Sequence, residues 1–274
     1  MGTSTSSNGP SGGVSFDPPW LISERDNGDI SISDTEQLKL PLAPLPLQVD
    51  NMAPRARFAP ARKGLNQYIS SGDHQDLKKA LGGYSRRGMG GATRLARRMT
   101  MSARTGAEAV AFFRDIADGK CNPNSSWLKE LLAKGSSPDD IFDQIAAKIS
   151  PEFGGIDENS CRDSITQALI DLGESNQDFD ITNFTADDIQ SFICYFLSNE
   201  IFNRVIIDIG QSFERHLSVR EICERKDEMR EYIFYEVEKQ VNNYWDENSY
   251  ISQADIVKVL QQIIRDTFSI FEEE

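Results

Sequence analysis

The chain has 274 residues and a formal net charge of −14, with 39 % hydrophobic and 26 % charged residues. That length can bury a substantial core and suggests one domain with extensions, or two small ones. No run of 18 apolar residues occurs, and the N-terminus has neither the charged start nor the apolar core of a secretory signal, so the reading is a cytoplasmic protein that does not enter a membrane.

Residues 1–54 are rich in Gly, Ser and Pro and carry seven acidic and two basic side chains, which predicts a disordered tail. It opens Met1-Gly2-Thr3-Ser4 and runs through Gly9-Pro10 to Pro18-Pro19-Trp20. Met before Gly is normally trimmed, which would expose the amine of Gly2. With a pKa of about 7.7 to 8.0, roughly a quarter of such an amine is neutral and nucleophilic near physiological pH, whereas lysine stays protonated. The same residues fit the M-G-x-x-x-[ST] myristoylation pattern, although a single acyl chain gives only marginal membrane binding. Further on, Leu38 to Leu47 alternates Leu with Pro41, Pro44 and Pro46, which excludes helix and favours an extended polyproline-like rod. Its leucines suit a partner's groove or a ribbon lying on the protein's own body.

From Arg55 to Arg104 there are twelve Lys and Arg against Asp73 and Asp76, so residues 55–104 form a basic segment on an otherwise acidic chain. The pattern predicts short helices broken by glycine: Leu65 to Ser70, Asp73 to Leu81 with Ser71 or Asp73 as cap, and Ala92 to Ser102. In the last of these, Arg94, Arg97 and Arg98 share one helix face. Between them, Gly82 to Gly91 has the Gly83-to-Gly88 spacing of a phosphate loop, but Met89 stands where the lysine is needed and no strand pattern precedes it. What remains is a cationic loop containing Arg86 and Arg87. It suits phosphate backbones or an acidic protein surface, or is held against the acidic body by its own charge.

Residues 105–274 read as an acidic helical body, and the fold class is all-α, a helical bundle. Thr105 with Glu108, Ser137-Pro138 with Asp140, Ser160 with Asp163, Thr185 with Asp188, Ser218 with Glu221 and Ser252 with Asp255 each look like a helix start. Ile189, Phe192, Ile193, Phe196 and Leu197 follow the apolar spacing of an amphipathic helix, as do Ile256, Val259, Leu260, Ile263 and Ile264. Trp127, Leu128, Leu131 and Leu132 mark a short helix, and Ser218 to Val241 a long, charge-laced one. Asp139-Asp140 and Asp187-Asp188 are read as helix starts rather than acid pairs.

Cys121, Cys161, Cys194 and Cys223 form no C-x-x-C pair and have no histidine at metal spacing, so they are expected to be buried free thiols. His74 and His216 belong to no nucleophile–base motif. The expectation is a protein with no catalytic residues, no metal and no cofactor.

The Met1-Gly2-Thr3-Ser4 start, Gly9-Pro10, Pro18-Pro19-Trp20, Gly83-Tyr84-Ser85-Arg86, Gly90-Gly91 and Arg97-Arg98 together resemble the QatB family of the bacterial Qat anti-phage defence system. The likeness is clearest over about residues 1–105 and fades in the helical remainder. It implies a non-catalytic subunit bound by a QueC-like enzyme, with an ATPase and a TatD-like nuclease as further members of the system. By analogy with QueC chemistry, that enzyme would activate the carboxylate of a 7-deazaguanine with ATP, and the Gly2 amine would attack it. On this reading Gly2 is the modified N-terminus, and Thr3, Ser4, Pro18, Pro19 and Trp20 form the partner-binding tail. The alternative is a nucleic-acid-binding adaptor acting through Arg86, Arg87, Arg94, Arg97 and Arg98.

Overall fold

A computed structural model of the chain describes residues 53–118, 123–150, 155–214, 218–245 and 252–273. The predicted tail, but for its last two residues, lies outside them, as do Cys121 and His216. Ten α-helices are described, and no strand among these residues: α1 Ala59–Ser71, α2 His74–Gly83, α3 Ala92–Arg98, α4 Thr100–Ala117, α5 Pro123–Ala133, α6 Pro138–Ile149, α7 Ile156–Ser175, α8 Ala186–Ile209, α9 Val219–Tyr244 and α10 Gln253–Glu272. A π-helical turn, Tyr84–Met89, joins α2 to α3, and a 3₁₀ turn, Gly210–Glu214, follows α8. The all-α bundle is therefore what the apolar spacing predicted.

Four of the predicted caps start helices. Ser137, Thr185, Ser218 and Ser252 accept the backbone N–H of Asp140, Asp188, Glu221 and Asp255 respectively, and Asp73 accepts that of Gln75. Each satisfies a donor that the first turn would otherwise leave unpaired. Two others do not. Thr105 lies inside α4, fully buried, because α4 already starts at Thr100. Ser160 lies inside α7, whose start is set at Gly155, with the Glu158 carboxylate accepting the Gly155 N–H. In both cases the Ser/Thr-x-x-acid spacing recurs within a helix that has already begun upstream.

α8 is the central helix. Phe192, Ile193, Phe196, Leu197, Ile201, Phe202, Val205 and Ile209 are all buried, and they point to more than one side of the helix, as expected of a helix enclosed by others. It packs against α7, α9 and α4. α10 is a second internal support, packed on α2, α3, α4 and α9. The charge-laced α9 buries a narrow stripe that includes Met229, Ile233, Val237 and Val241 and turns the rest of its surface outward. Phe113 stacks on Phe184 at 4.1 Å and meets Phe192 edge-on at 4.7 Å, which ties the turn before α8 to α4.

The basic segment is built into this core. Leu65, Tyr68, Leu77, Leu81, Tyr84 and Leu95 are at most 1 % exposed and join one apolar cluster with α8 and α10. Most of the Gly82–Gly91 segment read as a cationic loop is the π turn, with Tyr84, Ser85, Gly88 and Met89 all buried.

Two glycines mark where helices approach too closely for a side chain. A Cβ on Gly106 would lie 2.8 Å from Leu260 Cδ1 and 2.9 Å from Phe196 Cε1, where α4 passes between α10 and α8. A Cβ on Gly82 would lie 2.2 Å from the backbone oxygen of Phe271, which cannot swing aside as a side chain could. Gly82→Ala should therefore destabilise the protein by about 3 kcal/mol, as overpacking against a rigid neighbour does. Lys79→Ala, one turn away and exposed, should stay within about 0.5 kcal/mol. Denaturant midpoints of the two variants check this, and equal midpoints would show that α10 does not dock at Gly82.

Candidate functional site

Arg86 and Arg87 are exposed on the π turn, and Arg86 Nη2 donates to the backbone oxygen of Glu272. Arg94 is buried, with 2 % of its surface exposed, while Arg97 and Arg98 are half-buried. Arg98 Nη1 lies 3.5 Å from Met89 Sδ. The shared helix face of these three arginines thus turns toward the protein rather than away from it. Gly2, Thr3, Ser4, Pro18, Pro19 and Trp20 lie outside the described residues.

The structure adds a polar centre that the sequence reading passed over. Tyr84, fully buried, donates to Asp208 Oδ2 at 2.8 Å, and Arg62 Nη2 donates to the Asp208 carbonyl at 3.3 Å. Arg204 pairs with Asp157 at the start of α7 and lies 4.0 Å from Asp208 Oδ2. Burial, followed by the Asp208 charge, pushes the Tyr84 hydroxyl well above its ordinary range, so it stays a proton donor. Burial opposes the Arg204 charge, but Tyr84, Asp157 and Asp208 more than offset it and hold the guanidinium protonated. Burial lowers the Arg57 pKa, with Asp208 and Tyr84 acting against that.

One turn before Arg204, Glu200 is almost wholly enclosed, with 3 % exposure. Ser102 Oγ donates to its Oε2, while Ser160 and Ser164 Oγ donate to Oε1 at 3.0 and 2.7 Å. The Cys161 thiol lies 3.5 Å from Oε2. Burial raises the Glu200 pKa, and the four donors act in the opposite direction. Between this carboxylate and Arg204 lies a cavity of about 10 Å³, lined among others by Arg98, Asp157 and Ser160, roughly the space of one water.

Ser160 also lines a larger cleft of about 450 Å³ between α7 and α8. Its walls are mostly amides and isoleucines: Asn159, Gln167, Asn199, Asn203, Ile156 and Ile207.

Burial raises the Cys161 thiol well above its ordinary range and takes Cys194 up to about 12, so neither is a thiolate nucleophile at neutral pH. Cys223 is exposed, against the expectation that all the cysteines are buried, because it sits on the outward face of α9. His74 packs edge-on against Tyr232 at 5.6 Å. Among the described residues, no cluster of His, Cys, Asp and Glu is placed to hold a metal ion, and no helix is long and apolar enough to cross a membrane.

Fold and site together define a helical protein in which a buried set of polar groups holds helices to one another. The family described as "Qat anti-phage system associated protein QatB" matches residues 90–271. The chain belongs to the QatB family and is a component of an anti-phage defence system, working with other proteins of that system. The match lies mainly in the helical body, where the short-motif likeness fades. No curated protein and no solved structure matches the chain.

The raised Glu200 pKa has a definite consequence for stability. Folding then takes up protons between the ordinary carboxyl value and the raised one, so stability falls as pH rises through that window. Glu200→Gln should flatten this part of the pH–stability curve. Glu200→Leu, which leaves three hydroxyls without their acceptor, should cost about 3 kcal/mol. Urea unfolding from pH 4 to 8 reads both, and a difference in stability between wild type and Glu200→Gln that does not fall as pH rises through the window would contradict the assignment.

Proposed function

We propose that the chain is a non-catalytic subunit of its Qat system, bound by a QueC-like enzyme and serving as that enzyme's protein substrate through the Gly2 amine. The ATPase and TatD-like nuclease of the system would be further partners. The observation that carries the reading is the family match over residues 90–271. Two physical facts are compatible with it: Cys161 and Cys194 are buried and protonated, which leaves Cys223 as the exposed thiol among the described residues, and the first described residue, Ala53, comes more than fifty residues after Gly2. In the proposed reaction the partner joins a 7-deazaguanine carboxylate to AMP with release of pyrophosphate. The neutral Gly2 amine then attacks the acyl carbon, an amide bond forms, and AMP and a proton leave.

A nucleic-acid adaptor remains the second reading, favoured by the exposure of Arg86 and Arg87 on one turn. Burial of Arg94 removes a central contact from that surface.

Intact mass of the protein made with and without its QueC-like partner tests the first reading. The expected result is one deazaguanine amide on Gly2, absent without the partner and absent in Gly2→Glu, where Met1 is retained. An adduct on an internal lysine, or an unchanged adduct in Gly2→Glu, would overturn it.

A further inference from the structure

The cleft between α7 and α8 takes no part in the proposed Gly2 chemistry. α7 contributes Ile156, Asn159, Asp163 and Gln167 at helical spacing, and α8 contributes Asn199, Asn203 and Ile207. Ile156 and Ile207 are 69 % and 50 % exposed, among the few large apolar side chains left on the described surface. Asn199 Nδ2 donates inward to Asp171 at 3.2 Å and Asn203 Nδ2 to Ser164 at 3.1 Å, so both amides are held in place. An amide carries a second N–H and a carbonyl oxygen, which suits it to an extended backbone. Asp163 and Arg230 oppose each other in sign, which leaves the lining close to neutral. A volume near 450 Å³ falls within the range of about 300 to 1,000 Å³ typical of binding clefts.

We infer that this cleft is the docking site of the chain's own Leu38 to Leu47 segment. That segment offers what the lining can recognise: five leucines for Ile156 and Ile207, a backbone that proline keeps from bonding to itself, and a single charge, Lys39. The acidic stretch upstream of it, with Glu24, Asp26, Asp29, Asp34 and Glu36, lacks this match. Position also favours it. The chain enters the core at Ala53 to Phe58, where Phe58 stacks on Tyr84 at 5.8 Å and Tyr84 bonds Asp208, the residue after Ile207. Leu47 is six residues before Ala53 and Leu38 fifteen, spans of up to about 20 and 50 Å when extended, which gives the segment a wide range over the surface around Ala53. Docking there would tether the residues upstream of Leu38 from the α7–α8 side of the bundle. The inference stands on the cleft and the chain path, independently of whether Gly2 is modified.

The test replaces the exposed Ile207 with the photo-crosslinker p-benzoylphenylalanine in the full-length protein and maps the links by mass spectrometry after digestion. The expected product is an intrachain link from position 207 into residues 38–47, reduced at least tenfold in the Leu42→Asp, Leu45→Asp variant. Both leucines precede the helical core, so the variant's circular dichroism should be unchanged. Links predominantly to a second copy or to another segment, absence of links, or a yield unaffected by the two aspartates would each overturn the inference.

Discussion

Asp208 and Glu272 are the two carboxylates on which the arrangement of the basic segment depends. Asp208, at the end of α8, receives the Tyr84 hydroxyl, and its backbone carbonyl receives Arg62. Glu272, at the end of α10, receives Ser85 Oγ at 2.7 Å and the Ala92 N–H at 2.9 Å, while its own carbonyl receives Arg86. The second of these caps α3, whose preceding residue, Gly91, has no side chain to do so. The acidic ends of the two internal helices thus anchor the one strongly basic stretch, and the close approach at Gly82 leaves α10 little freedom to dock elsewhere. The charge asymmetry of the sequence becomes an internal joint.

Glu200 plays a different part. A carboxylate in the middle of a buried helix is costly unless its oxygens are occupied, and hydroxyls from both α4 and α7 converge on it. That convergence fixes the rotation of α8 against two neighbours more tightly than apolar contacts alone. With Arg204 one turn on, it makes a polar seam through the bundle that ends beside the α7–α8 cleft.

Much of the body could be read in advance. Where a cap preceded an apolar run, as at Thr185, Ser218 and Ser252, the local signal and the packing agreed. Thr105 and Ser160 carried the same spacing but lie within helices that had already begun, which local pattern cannot show. The basic segment was harder, because its glycines read equally as breaks in a loop and as close-packing positions, and only the neighbour settles which. Arg94 illustrates the same limit: its spacing to Arg97 and Arg98 was legible, but not that the shared face points inward. Glu200 had one visible trace, the polar Ser198-Asn199-Glu200 step within an apolar run, which a search for paired catalytic groups passes over.

The central claim is that the basic segment belongs to the folded core and is not a free cationic arm. Amide hydrogen exchange of the full-length protein, read by mass spectrometry, tests it most directly. If the claim holds, amides of residues 62–83 and 95–98 exchange only through global opening, with protection matching that of 193–209 in α8. Rapid exchange of the basic segment while α8 stays protected would contradict it.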